Sequence, residues 1–284
     1  MRQGVCKLGP KLERDELLEG AGIADYPLTR GQIDQYRRDG FIQLDGVITG
    51  AALAAMRLAV ETAVAEESAQ APVDEALPIS VARATYEKIF NQKVNLWQRH
   101  ADVARFVLAP ALARIAARLE GMPMRLWHDQ ALFKEPGKGN NKTPWHQDAV
   151  YWPHEDRWQQ TTIWIALTDA TPQNGCMAFV AGSHSLGPLA VVDLADPQDL
   201  FHQAPHLRPV KPVAVPLTAG SVTFHNGLTF HFAGPNRSDA VREAFAILYM
   251  PDGTLYDGAA HMVTDAQGFA VGGVLDTDMF PLVS

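Results

Sequence analysis

Residues 124–250 carry apolar side chains in short runs, and turn signals separate the runs. The runs span 124–133, 161–167, 177–180, 213–216, 221–224, 229–232 and 244–249. Between them lie Glu135-Pro-Gly137, Gly139-Asn-Asn141, Gln173-Asn-Gly175, Ala219-Gly220 and Asn226-Gly227. In a strand, alternate side chains share a face. Ile163 and Ile165 are therefore expected opposite Trp164 and Ala166. Many short strands with Gly, Pro and Asn turns restrict the chain to a sandwich or barrel. Gln173-Asn-Gly175 has the composition of a hairpin turn.

Helices are expected ahead of this region. Thr29 can cap one that ends at Asp39-Gly40, and residues 41–45 alternate like a strand. Thr49 can cap the next, where Leu53, Met56, Val60 and Val64 form one apolar stripe. Asp102 is the expected cap of a helix running to Leu108. Pro110 suits the first turn of another, with Leu112, Ile115 and Leu119 on one face and Gly121 as its end. Residues 66–85 read as loop, and 185–209 as a long excursion without periodicity. Residues 1–27 read as a mobile extension, and 28–284 as a single domain without repeat or linker.

The chain has 284 residues, 47% of them hydrophobic, which is enough for a large core. Its net charge of −8 and the absence of a Lys/Arg stripe argue against nucleic acid or an anionic membrane as partner. Cys6 and Cys176 form no framework, as expected of a reducing compartment. No apolar run has the length of a signal peptide or a membrane span. A cytoplasmic protein is expected.

The chemistry centres on His146-Gln-Asp148. If this triplet is strand, His146 and Asp148 project together from one face. A second His from far along the chain would complete two imidazoles and one carboxylate, a set that leaves open positions and suits non-heme Fe(II). His231 and His225 both qualify, and spacing alone leaves the choice between them open. A second His-x-Asp, His154-Glu-Asp156, follows Pro153 among charged residues and reads as a solvated loop. Arg242 precedes an apolar strand. It is either a surface partner of Asp239 or Glu243, or a buried cation suited to a carboxylate.

Taken together, His146-Gln-Asp148, Trp164-Ile-Ala-Leu-Thr-Asp169, Asn174-Gly-Cys-Met177, Ala181-Gly-Ser-His184 and His231-Phe-Ala-Gly-Pro-Asn-Arg-Ser238 with Arg242 resemble the phytanoyl-CoA dioxygenase family. Leu28-Thr-Arg-Gly-Gln and Tyr36-Arg-Arg-Asp-Gly-Phe41 also resemble the way its members begin. These are Fe(II)- and 2-oxoglutarate-dependent oxygenases that use O2. The resemblance implies a mainly β fold, a double-stranded β-helix (jelly-roll, cupin-like) barrel with flanking helices. It implies that His146, Asp148 and His231 hold iron and that Arg242 binds the distal carboxylate of 2-oxoglutarate. It also places Trp164, Gln130 and Gln147 at the cosubstrate pocket. His184 matches a turn residue of the family, and His128 is a barrel histidine within reach of the pocket.

There are departures. Ala233 stands where some relatives carry a hydroxyl that helps hold the cosubstrate, and Ala181 stands where Pro is usual. Segments 66–100 and 185–209, which would face substrate, match no assigned pattern. The implied reaction is hydroxylation of an unactivated C–H bond with release of succinate and CO2. Asp148 argues against halogenation, which needs a small residue there. Desaturation, epoxidation and ring closure stay open. Trp145, Tyr151 and Trp152 suggest an apolar or ring-bearing small metabolite, and the acidic chain does not favour a CoA thioester. Two other readings compete: a cupin-like metal enzyme without 2-oxoglutarate, and a β-barrel that binds a ligand without catalysis. Arg242 separates the first, since such an enzyme needs no carboxylate clamp. The full ligand set separates the second.

Overall fold

The computed structural model describes residues 21–69, 91–137, 142–191, 204–265 and 267–284. Most of the N-terminal extension, the turn at 139–141 and the centres of both unassigned segments lie outside the described residues. Helix α1, Arg30–Asp39, is fixed at both ends. Thr29 and Gln32 form a reciprocal capping box, and Gly40 takes the left-handed conformation (φ 79°) at the other end. Strand β1, Phe41–Leu44, and helix α2, Gly50–Ala69, follow. Strand β2, Asn91–Val94, was not visible in the sequence. It has no alternating apolar pattern, and β-pairing with a neighbour makes it a strand.

Helix α3, Ala101–Val107, begins after His100, so Asp102 sits in its first turn and is not the cap. There its charge still favours the positive helix end. Helix α4, Pro110–Glu120, starts on Pro110 and ends at Gly121 as expected. Its Leu112, Ile115 and Leu119 are buried. Truncating one of them to Ala would cost about 2–5 kcal/mol.

The remaining strands are β3 (Met124–Phe133), β4 (Thr143–His146), β5 (Thr161–Ala166), β6 (Met177–Phe179), β7 (Val213–Val215), β8 (Val222–Asn226), β9 (His231–Ala233) and β10 (Ala244–Pro251). They form two antiparallel sheets, ordered β1-β8-β5-β10-β3-β2 and β4-β9-β6-β7. From β3 to β10 the chain crosses between sheets at almost every step. Gln173-Asn-Gly175 is therefore not a hairpin turn: it carries the chain from β5 in one sheet to β6 in the other. Gly175 is needed there, because a Cβ would come within 2.4 Å of the Gly234 carbonyl oxygen. Two sheets joined this way form a jelly roll.

Alternation sorts the side chains as expected. Ile163, Ile165, Phe245, Ile247 and Tyr249 pack with α2, α3 and α4 on the outer face of the six-stranded sheet. Trp164, Ala166, Ala244, Ala246, Leu248 and Met250 face the space between the sheets. The C-terminal segment returns across β3, where Leu126 N–H donates to Pro281 O at 3.0 Å and Phe280 stacks on Trp127. No helix among the described residues is long and apolar enough to cross a membrane.

Candidate metal centre

His146 ends β4 and His231 opens β9, and the two are direct partners in the antiparallel register. Their ring centroids lie 4.1 Å apart. Asp148 reaches them by a route the sequence did not suggest. The strand stops at His146, and Asp148 has helical angles (φ −70°, ψ −50°) ahead of the turn Ala149–Tyr151. The Ala149 N–H donates to Gly227 O at 2.9 Å and pins that turn. Asp148 Oδ1 then lies 3.3 Å from His146 Nε2 and 3.4 Å from His231 Nε2. One ligand atom from each residue falls within 4.8 Å of the others.

Proton positions separate the two histidines that spacing could not. His146 Nδ1 lies 2.7 Å from Pro144 O, and His231 Nδ1 lies 2.9 Å from Thr229 O. A carbonyl only accepts, so each Nδ1 carries the proton and each Nε2 offers a lone pair. His225 is the reverse. Its Nε2 lies 3.3 Å from Asp148 Oδ2, and no group among the described residues bonds its buried Nδ1. A carboxylate also only accepts, so His225 holds its proton on Nε2 and has no lone pair there for a metal. Thr162 Oγ1 donates to the same Oδ2 at 3.2 Å.

Burial alone would push the Asp148 carboxyl up. The surrounding histidines, His231 first and then His146 and His225, outweigh it and hold the carboxyl well below the usual range. Burial, and then His231, hold His146 below the usual imidazole range. An ionised Asp148 and a neutral His146 are the states metal binding needs.

Register carries the site inward in rows. Phe41, His225, Thr162, Leu248 and His128 stand side by side across β1, β8, β5, β10 and β3. The next row is Thr223, Trp164, Ala246, Gln130 and Val94. Ala166 and Ala244 follow, and then Arg242, which bridges to Lys134.

Arg242 is 2% exposed, and its guanidinium carbon lies 5.2 Å from the Trp164 ring centre. Nη1 donates to Leu132 O at 2.8 Å, whereas Nε has no partner among the described residues. Burial pushes its pKa down to about 9, so it stays charged at neutral pH. Among the described residues no carboxylate pairs with it. Glu243 pairs instead with Arg57 at 2.7 Å, which removes the surface-pair reading of Arg242. Lys134 Nζ donates to Ala233 O (3.1 Å) and Gly234 O (2.6 Å), holding the chain just past His231. Burial, and then Arg242, push the Lys134 pKa down to about 6.

Other expectations need correction. Gln147 does not face the pocket. Its Nε2 donates to Gly187 O and Leu228 O, and its Oε1 accepts from Leu189 N–H, so its amide is used up in bracing loops. Alternation from His146 points it away. His154 is not solvated: it is fully buried against Trp127, and Gln160 Nε2 donates to its Nδ1 at 2.6 Å. Trp145 stacks on Phe232 and Trp152 is buried, so of the three aromatics Tyr151 comes nearest, 6.3 Å from the His146 ring. His184 sits in the turn Ser183–Leu186, 3.2 Å from Arg37 O. Thr162 went unrecognised in the sequence, although it shares the Trp164 face two residues on. Lys134 gave no sign beyond being a lone cation at the end of an apolar strand.

The donor set fits a divalent metal: two imidazole lone pairs and an ionised carboxylate converge. Beyond Trp164, a buried and unpaired guanidinium fits the far carboxylate of a dicarboxylic acid. The sequence profile of the phytanoyl-CoA dioxygenase family matches residues 36–244. This chain belongs to that family. It is thus a non-heme iron, 2-oxoglutarate-dependent oxygenase. It is 26% identical to phytanoyl-CoA dioxygenase domain-containing protein 1 of Danio rerio over 251 residues, 86% of this chain and 75% of that protein. Among solved structures it is similar to the α-ketoglutarate-dependent carbocyclase SnoK from nogalamycin biosynthesis, with TM-score 0.75 and 30% identity over 91% of this chain and 97% of that one. It is also similar to the epimerase SnoN in complex with Fe3+, α-ketoglutarate and nogalamycin RO, with TM-score 0.74 and 27% identity over 89% and 98% of the two chains.

Proposed function

We propose that His146, Asp148 and His231 hold Fe(II), that Arg242 takes the distal carboxylate of 2-oxoglutarate, and that the enzyme hydroxylates an unactivated C–H bond of an uncharged, ring-bearing small metabolite. The observation that carries this reading is the buried Arg242 without an acidic partner, set across the Trp164 row from the three ligands. A metal enzyme without a dicarboxylate cosubstrate has no use for that cation. When bound, Fe(II) with 2-oxoglutarate and O2 supplies the oxidising power to break such a bond, with succinate and CO2 as coproducts.

The chain's own residues orient and exclude. The carbonyls of Pro144 and Thr229 fix the two ligand imidazoles in the tautomer that binds. Trp164 and the guanidinium above it form one wall of the path between the metal ligands and Arg242. Ala166, Ala244 and Ala246 leave room beside it. The likeness to a carbocyclase and to an enzyme bound to nogalamycin RO supports a ring-bearing substrate. It also favours ring closure as the second outcome at the same site.

Anaerobic addition of Fe(II) and then 2-oxoglutarate should give a weak visible charge-transfer band from chelation by the 2-oxo acid. Iron binding without that band would sink the cosubstrate assignment and favour the cupin-like enzyme. For the substrate, lysate metabolites incubated with the loaded enzyme should show one small uncharged compound gaining an oxygen or losing two hydrogens. Oxidation of an acyl-CoA alone would reject the substrate class.

A further inference from the structure

We propose that His225, together with Thr162, is a positioning residue that keeps Asp148 to a single metal-facing oxygen and so keeps the cosubstrate positions open. This rests on the reading above, in which His146, Asp148 and His231 hold iron.

A carboxylate can offer a metal one oxygen or two. If both Asp148 oxygens turned to the metal, the protein would fill four of six positions. 2-Oxoglutarate needs two and O2 needs one, so the count closes only with one oxygen. In the structure the two oxygens are already sorted. Oδ1 faces the Nε2 atoms of His146 and His231, at 3.3 and 3.4 Å. Oδ2 faces Thr162 Oγ1 at 3.2 Å and His225 Nε2 at 3.3 Å.

The two sets come from different sheets. His146 and His231 stand on β4 and β9 of the four-stranded sheet, whereas Thr162 and His225 are cross-strand partners on β5 and β8 of the six-stranded sheet. Asp148 sits off any strand, on a turn, where nothing in its own backbone fixes its rotation. Donors from the opposite sheet supply that restraint. His225 is 1% exposed, packed 5.3 Å from the Phe179 ring and 4.6 Å from the His231 ring. Among the described residues Nδ1 has no partner, and Nε2–H to Asp148 is the ring's one polar bond. A histidine kept for packing alone would not need that bond, and Phe could replace it.

Three variants test this: His225→Phe, which keeps the ring, His225→Gln, which returns an N–H near the position of Nε2, and Thr162→Val. Circular dichroism checks folding. Fe(II) affinity is read by competition with a chelator, and 2-oxoglutarate affinity by anaerobic titration of the charge-transfer band. His225→Phe should weaken one or both by about 10–100-fold, the usual effect of losing a partner of a metal ligand. His225→Gln should recover most of the loss, and Thr162→Val should show a smaller loss of the same kind. His225→Phe that titrates like wild type overturns the proposal, and so does His225→Gln that fails as badly as Phe. If His225→Phe does not fold, Thr162→Val decides, and unchanged titrations there overturn it. Wild-type protein that gives no band overturns the cosubstrate reading, and this inference falls with it. A normal wild-type band with unaffected variants overturns this inference alone.

Discussion

The two polar ends of the barrel interior are built on opposite rules. At the metal end, one carboxylate sits among three imidazoles, and its two oxygens have protein contacts before any metal arrives. At the other end, Arg242 lies buried with one carbonyl contact and no anion. A buried charge without a partner costs several kcal/mol. The first end is therefore organised in advance, and the second is completed only by a ligand. An elongated dianion would resolve the difference, with one end at the metal ligands and the other at the guanidinium.

Breaking the metal end should have the largest effect. Asp148→Ala removes the only charged ligand. Fe(II) affinity should fall by more than the roughly 100-fold that loss of a ligand's partner costs. Chelator competition would show it, and retained tight binding would mean that the ligands are assigned wrongly. Breaking the other end should leave iron in place. Arg242→Ala should weaken 2-oxoglutarate by about 2–5 kcal/mol, roughly thirty-fold to a few thousand-fold in Kd, with Fe(II) affinity unchanged. Equal loss of both would erase the distinction between the two ends.

The contrast also has a sign in stability. Replacing even a buried ion pair with apolar residues of similar volume is often neutral or stabilising, by up to about 4 kcal/mol, and an unpaired cation has less attraction to offset its desolvation. Arg242→Met should raise the Tm of the ligand-free protein, less so because Leu132 O loses its donor. Adding 2-oxoglutarate with a divalent metal should raise the wild-type Tm and leave the Met variant behind. A lower Tm for Arg242→Met in the free protein would show that the cation is not a stored cost.

The smallest effect lies behind the metal end. The Tyr36 hydroxyl lies between Glu120 and Thr161 Oγ1 and gives its one proton to either, and Thr161 Oγ1 lies 3.1 Å from His225 O. Burial raises the Glu120 pKa to about 7, against the donors Tyr36 and Asn226 and the charge of Arg37. An unfolded Glu titrates near about 4.3. The folded state thus holds an extra proton between these values. The stability this contributes is full below the lower value and is lost as pH rises through the upper one. Wild-type Tm should fall relative to Glu120→Gln between about pH 5 and pH 7. Parallel Tm curves for the two proteins would refute the shift.

Much of this architecture was legible before any coordinates. Caps at Thr29 and Gly40, and Pro110 with Gly121, are local chemistry, and they bound their helices as read. Inner and outer faces of β5 and β10 follow from a period of two. Strand β2 was not legible, because its Asn91-Gln-Lys-Val94 has no such period and becomes a strand by pairing with β3. A place within the metal motif does not give Gln147 access to the pocket, because its amide braces loops on the other side. Gln173-Asn-Gly175 was misread because turn composition does not say which sheet comes next.

The sequence by itself determined the ligand types and their order, His146, Asp148 and then a distal His, and it put a lone Arg just ahead of an apolar strand. Only the tertiary structure decided which His and which oxygen. His225 and His231 lie six residues apart with similar neighbours. They differ in what meets Nδ1: a carbonyl for His231, and no partner for His225. That contact sets the ring proton, and the proton suits one histidine to be a ligand and the other a donor. Whether Arg242 was a surface ion or a buried clamp was likewise a matter of distant strands closing over it, since burial and pairing are properties of the packed chain.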